Sequence, residues 1–275
     1  MNSLVTTQWL ADHLGEPDLT IVDASWHMPA TGRKARGEYE AAHIPGALFL
    51  DIDAVANPED PAPHMLPTPD AFSAAMGDLG ISNDDRIIVY DNSPHHTAVR
   101  GWFMFRHFGA KRVAILDGGF AKWRSEGRPV EGGTVTRPVT QYAVEERFDV
   151  VSKLDLLAAP PLVLDARSKA RFEGSEPEPR AGLASGHIPG ARSLPMTALY
   201  NDDGTFKALP ELRQAFADAG ADPAQPFVAS CGSGVTANSI IFAAHLLGYD
   251  TGRLYDGSWS EWGADPATPK ALGPP

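Results

Sequence analysis

The sequence holds a single cysteine, Cys231, in the stretch "SCGSGVTANS" at 230–239. The apolar segment "PFVAS" leads into it, and an apolar run at helical spacing follows. Cys231 therefore closes a buried strand and opens the way to a helix. The residues after it, Gly232, Ser233, Gly234, Val235 and Thr236, are small or β-branched. Small residues let backbone N–H groups turn inward and form a concave nest. The helix that follows adds the positive end of its dipole. Both features stabilise a thiolate at the mouth of the loop. A merely structural, buried cysteine is the alternative. Glycines on both sides of Ser233, at a strand-to-helix junction, favour the reactive one.

Several cysteine chemistries use a loop of this kind. A cysteine phosphatase needs an arginine six positions after the nucleophile, where this chain has Ala237. A thioredoxin-like redox pair needs a second cysteine, and a papain-like protease needs a paired histidine in a different context. A persulfide carrier needs less. The cysteine takes up one sulfur atom, the nest amides hold the terminal sulfur anion, and an outside acceptor removes it. With one thiol the chain has neither an internal disulfide nor an internal resolving cysteine, which fits a reducing compartment and a cytoplasmic location.

The elements that must position this loop are legible from a repeat. "AHIPGA" at 42–47 returns as "GHIPGA" at 186–191, and "LDGGFAKW" at 116–123 as "YDGSWSEW" at 255–262. "TIVDAS" at 20–25 matches "LVLDAR" at 162–167, and "IIVYD" at 87–91 matches "FVASC" at 227–231. The pairs keep their order at an offset of about 140 residues, as a duplicated domain requires. Each half alternates short apolar runs with amphipathic ones, which predicts an α/β fold with a mainly parallel sheet flanked by helices. Helices are expected over "TPDAFSAAMGDLG", with Thr68 as N-cap, and over "HTAVRGWFMFRHFG", "VSKLDLLAA", "LPELRQAFADAG" and "GVTANSIIFAAHLLGY". The Gly-, Pro- and Thr-rich stretch 126–142 reads as a linker, leaving domains at 1–125 and 143–275. In the first domain Asp91 stands where the second has Cys231. A carboxylate cannot serve as a sulfur nucleophile, so that domain is expected to be catalytically silent.

Composition excludes other classes. The chain has 275 residues, 43% hydrophobic and 21% charged, as a globular protein has. Its net charge of −12 argues against binding to nucleic acid or an anionic membrane. The N-terminus has no basic segment followed by an apolar core, so no signal peptide is expected. The longest apolar run, "SIIFAAHLLGY", is too short to span a bilayer.

These residues give the chain a resemblance to the two-domain rhodanese-type sulfurtransferases over essentially its whole length. "YEAAHIPGALFL" at 39–50 resembles the family's N-terminal signature and "YDGSWSEW" its C-terminal one. The active loop "CGSGVTA" at 231–237 is similar to that of the branch acting on 3-mercaptopyruvate. The thiosulfate branch resembles it less, carrying basic residues just after the cysteine. The resemblance implies tandem rhodanese-like domains, a Cys231 persulfide and backbone contacts from Gly232, Gly234, Val235 and Thr236. It also implies a substrate carboxylate held by Arg171 and Arg180, and a relay of Ser233, His64 and Asp53. Arginine suits a carboxylate because its fork pairs in bidentate fashion. A hydroxyl–imidazole–carboxylate chain can deliver a proton. Pyruvate would be released, and the sulfur would pass to thioredoxin, another thiol or cyanide. Thiosulfate as donor, and a non-catalytic persulfide carrier, are the competing readings. No cofactor or metal is expected: His95 and His96 are adjacent, but no cysteine or carboxylate cluster accompanies them. His43 and His187 recur in both HIPGA turns, including the silent one, and are expected to be structural.

Overall fold

The computed structural model describes residues 1–159 and 161–275. They form two compact units, which exchange short segments along the chain. The first unit comprises 1–57, 66–148 and 202–206, and the second 58–65, 149–201 and 207–275.

The first unit contains β1 (Leu4–Val5), β2 (Leu19–Asp23), β3 (Leu48–Phe49), β4 (Arg86–Tyr90) and β5 (Val113–Leu116), in the spatial order β1-β5-β4-β2-β3. The second contains β6 (Val150–Val151), β7 (Val163–Asp165), β8 (Arg192–Ser193), β9 (Phe227–Ser230) and β10 (Gly252–Tyr255), in the order β6-β10-β9-β7-β8. The two orders are the same permutation, and every pairing in them is parallel. Parallel strands are covered by helices on both faces. This is why Ile87–Tyr90 and Phe227–Ser230 are buried at every position. In the first unit Leu10, Tyr39, Ile88, Tyr90, Leu116 and Trp123 pack into one core cluster; in the second, Leu156, Phe172, Val228, Tyr255, Trp259 and Trp262 do.

Local chemistry sets the helix starts. Thr68 caps the helix Pro69–Asp78, its Oγ1 accepting the Ala71 N–H at 3.3 Å. Ser152 and Asp155 form a reciprocal capping box on Lys153–Ala158. The helix after the cysteine differs from expectation. It runs over Asn238–Leu246, four residues later than the apolar pattern begins. Gly234 takes φ +73°, a left-handed turn that a helix cannot contain, so Gly234–Ala237 belong to the loop.

The stretch read as a linker is laid along the first unit. His43 and Glu131 form an antiparallel bridge, the Thr140 N–H donates to the Gly77 carbonyl at 3.0 Å, and Tyr142 is buried against Phe72. The two HIPGA histidines hold matching places. His43 Nδ1 lies 2.7 Å from the Tyr39 carbonyl oxygen and stacks on Tyr39. His187 Nδ1 lies 2.8 Å from the Phe172 carbonyl oxygen and stacks on Phe172. Among the described residues no helix is long and apolar enough to cross a membrane.

Candidate active site

Cys231 follows directly on β9, the central strand of the second sheet, at the carboxyl end where open α/β sheets bind ligands. Its residue is 1% exposed. The loop is held from three sides. The Trp259 N–H donates to the Cys231 carbonyl at 3.0 Å and the Ser260 N–H to the Gly232 carbonyl at 2.9 Å. Asn238 Nδ2 donates to the carbonyls of Gly234, 2.7 Å, and Val235, 2.9 Å. Ser258 Oγ accepts the N–H groups of Cys231 and Gly234, both at 3.1 Å. Glycine is needed at 234 twice over: its φ is left-handed, and a Cβ there would lie 2.5 Å from the Asp256 carbonyl oxygen.

Ser233 and His64 come together. His64 Nδ1 and Ser233 Oγ are 2.9 Å apart, and both residues are buried. His64 adopts φ +63°, a conformation costing a non-glycine residue on the order of 1–3 kcal/mol. Reading the chain as consecutive halves put His64 in the first domain. The segment 58–65 that carries it instead belongs to the second unit, so the pair lies within one unit. Asp53 belongs to the first unit, in the short helix Ile52–Val55, where its Oδ2 accepts the Trp26 indole N–H at 2.9 Å.

Both expected arginines border the loop. A Cβ placed on Gly232 would lie 3.2 Å from an Arg171 terminal nitrogen, so the loop's second residue has little room to grow. Arg171 pairs with Glu178 through two bonds, Nε at 3.2 Å and Nη2 at 2.5 Å. Arg180 donates to Ser260 Oγ at 3.1 Å, and Ser260 Oγ donates in turn to the Gly232 carbonyl at 2.6 Å. Glu178 also takes a bond from Arg167 Nη1 at 2.7 Å, and Arg167 is clasped by Asp165 and stacked on Trp259, 4.4 Å from the ring centre. Burial alone would lower the Arg167 pKa, but Asp165 and Glu178 outweigh it and hold the group above its ordinary value. Val235 is buried and Thr236 half-buried.

Sequence reasoning did not single out Glu178, Ser258, Ser260 or Asn238. Glu178 stood in the quoted "RFEGSEPEPR" and both serines in "YDGSWSEW". A signal was therefore present, but nothing local assigned the side chains to the loop.

A model of the rhodanese-like domain matches residues 6–126 and again residues 151–265. The chain belongs to the rhodanese family. Among its rhodanese relatives, the 3-mercaptopyruvate sulfurtransferase of Escherichia coli K12 is 41% identical, with 94% of each chain covered. The thiosulfate sulfurtransferase of Cricetulus griseus is 40% identical, covering 94% of this chain and 91% of that one. The crystal structure of SseA from Escherichia coli, a 3-mercaptopyruvate sulfurtransferase, matches with a TM-score of 0.86 at 38% identity, over 95% of this chain and all of the other. The duplication read from the internal repeat and the rhodanese type implied by the resemblance are thus the architecture of the molecule.

Proposed function

We propose that this rhodanese is a 3-mercaptopyruvate sulfurtransferase working through a Cys231 persulfide. One observation carries the choice of donor: a loop with no cation of its own, whose Ser233 hydroxyl is hydrogen-bonded to His64. The Cys231 thiolate attacks the donor's sulfur, an S–S bond forms, and the C–S bond breaks. The electron pair of that bond passes into the ketone as an enolate, which gains a proton and leaves as pyruvate. Ser233 and His64 are the groups placed to deliver it. A donor that releases sulfite needs no such proton. In the second half-reaction an acceptor anion attacks the outer sulfur, and the Cys231 thiolate is regenerated.

Arg171 and Arg180 meet the donor carboxylate, and Asp53 counts with the relay residues, as the family resemblance assigns them. The loop backbone at Gly232, Gly234, Val235 and Thr236 holds the terminal sulfur. Thioredoxin, other small or protein thiols, and cyanide are the acceptors this chemistry admits, and a reducing cytoplasm suits a chain with one thiol. Thiosulfate is the second donor to weigh, since a relative of similar identity is named for it.

Steady-state turnover with the two donors, with pyruvate and protein mass measured together, tests the reading. Expected are one added sulfur on Cys231 and one pyruvate per sulfur transferred. Preference for thiosulfate would overturn the donor assignment. Sulfur uptake without turnover would make the protein a passive carrier.

A further inference from the structure

The signature stretch "YDGSWSEW" contributes one residue that this chemistry does not use. Ser258 is fully buried and adopts φ +49°, a left-handed conformation unfavourable for any residue but glycine. Its counterpart in the first repeat is Gly119, at φ +56°. The second repeat thus keeps a serine where the backbone asks for glycine. The hydroxyl supplies a reason. A hydroxyl offers one proton and two lone pairs, and Ser258 uses all three. Its Oγ accepts the Cys231 and Gly234 N–H groups, both at 3.1 Å, and donates to the Tyr255 carbonyl at 2.8 Å. The same oxygen lies 4.0 Å from Cys231 Sγ.

The first repeat supplies an internal control. Pro94 stands there at the place of Gly234, and proline has no N–H to satisfy. A Cβ on Gly119 would also come within 2.4 Å of the Asp91 carbonyl oxygen. The hydroxyl occurs in the half that has the amide, and is missing from the half that lacks it.

We propose that Ser258 is a positioning residue for sulfur transfer. It pins both ends of the turn Cys231–Gly234 to one oxygen, while Asn238 holds the carbonyl of Gly234 from the other side. The turn around the sulfur is thereby fixed before any donor arrives. This rests on Cys231 being the sulfur carrier.

Two variants separate the hydroxyl from the backbone. Ser258→Ala loses the hydroxyl and keeps the strained φ; Ser258→Gly loses the hydroxyl and relaxes it. Both are expected to lose ~10–100-fold in kcat with 3-mercaptopyruvate, as buried amides left unsatisfied imply, with KM little changed. In both, Cys231, 1% exposed in the pinned turn, should be alkylated faster by iodoacetamide at a fixed pH as the turn loosens, while Ser258→Gly melts above Ser258→Ala. Wild-type turnover and alkylation in Ser258→Gly, with only Ser258→Ala impaired, would reduce the residue to a backbone effect and overturn the proposal. Unchanged turnover and alkylation rates in both variants would do the same. Alkylation reports on the thiol without any donor. A wild-type protein that takes up no sulfur would therefore fail the persulfide reading separately, leaving the hold of Ser258 on Cys231 measurable.

Discussion

Two loops at the ends of matching central strands, Asp91–Ala98 after β4 and Cys231–Asn238 after β9, show how one frame is made silent or reactive. In both, an N–H from the signature helix bonds the carbonyl of the first loop residue: Phe120 to Asp91 at 2.9 Å, and Trp259 to Cys231 at 3.0 Å. In both, an arginine–glutamate pair stands beside the second loop residue. Arg33 bonds Glu38 and the Asn92 carbonyl, and Arg171 bonds Glu178 next to Gly232. The contents of the loops differ. Asp91 folds its carboxylate back into its own nest, taking the Ser93 and Ala98 N–H groups at 2.7 Å each. The first loop is thus filled by its own side chain. The second presents a thiol, and Ser258 Oγ, not the first loop residue's own side chain, takes the Cys231 and Gly234 N–H groups. An anion site is made by what the loop leaves unfilled as much as by its shape.

The sharpest way to break this contrast is to exchange the first residues. Cys231→Ser should abolish transfer from either donor, since no other thiol exists, while circular dichroism and melting stay near wild type. Asp91→Cys should not create a second carrier, because Pro94 lacks the amide and Gly119 the hydroxyl that shape the working loop. Intact-mass analysis after donor treatment should therefore show one added sulfur, not two.

A smaller effect probes the proton. His64→Ala is expected to lower turnover with 3-mercaptopyruvate by about 10²–10⁴, the usual span of general acid–base help, and to cost much less with thiosulfate. Equal losses with both donors would show that His64 shapes the loop and does not move a proton. Next come the arginines. Arg171→Ala and Arg180→Ala should each raise KM for 3-mercaptopyruvate by ~10–100-fold, the worth of one charge-assisted hydrogen bond. Initial-rate curves that keep the wild-type KM would remove both residues from the donor site.

The last effect is on stability, not on turnover, and concerns the filled loop. Burial pushes the Asp91 carboxyl up to about 6, with the two donated N–H groups opposing it, and burial likewise pushes Asp23 up to about 6. A carboxyl raised in the folded state binds its proton more tightly there than in the unfolded chain. The stability it contributes is present at low pH and lost as pH rises through about 4 to 6. A shift of about two units corresponds to about 3 kcal/mol for each group. Asp91→Asn should flatten this part of the melting-temperature profile, and a mutant curve parallel to wild type across the window would refute the assignment.

Much of this molecule could be read from its residues, for identifiable reasons. Parallel strands buried on both faces leave apolar runs such as "RIIVYD" and "PFVAS", and the repeat doubles every such signal. The loop was legible because glycine at 234 is a backbone demand written in the residue type. The side chains that hold the loop were not. Ser258, Asn238 and Glu178 act through hydrogen bonds to partners fixed by the fold, and no periodicity records such a bond. The helix start at Asn238 was missed because the apolar pattern continues through a turn that only the φ of Gly234 reveals. Residues 58–65 count with the second unit, and His64 there meets Ser233, 169 residues away in sequence, a pairing no local pattern records.

That placement bears on the history and the engineering of the chain. The seam left by duplication falls near the middle of the gene, yet the residues 58–65, encoded upstream of it, count with the downstream unit. A transcript cut at the seam would make one product bearing the thiol without its imidazole and another bearing the imidazole without the thiol. A minimal version of this enzyme would have to be built by grafting residues 58–65 onto the second half, not by truncation.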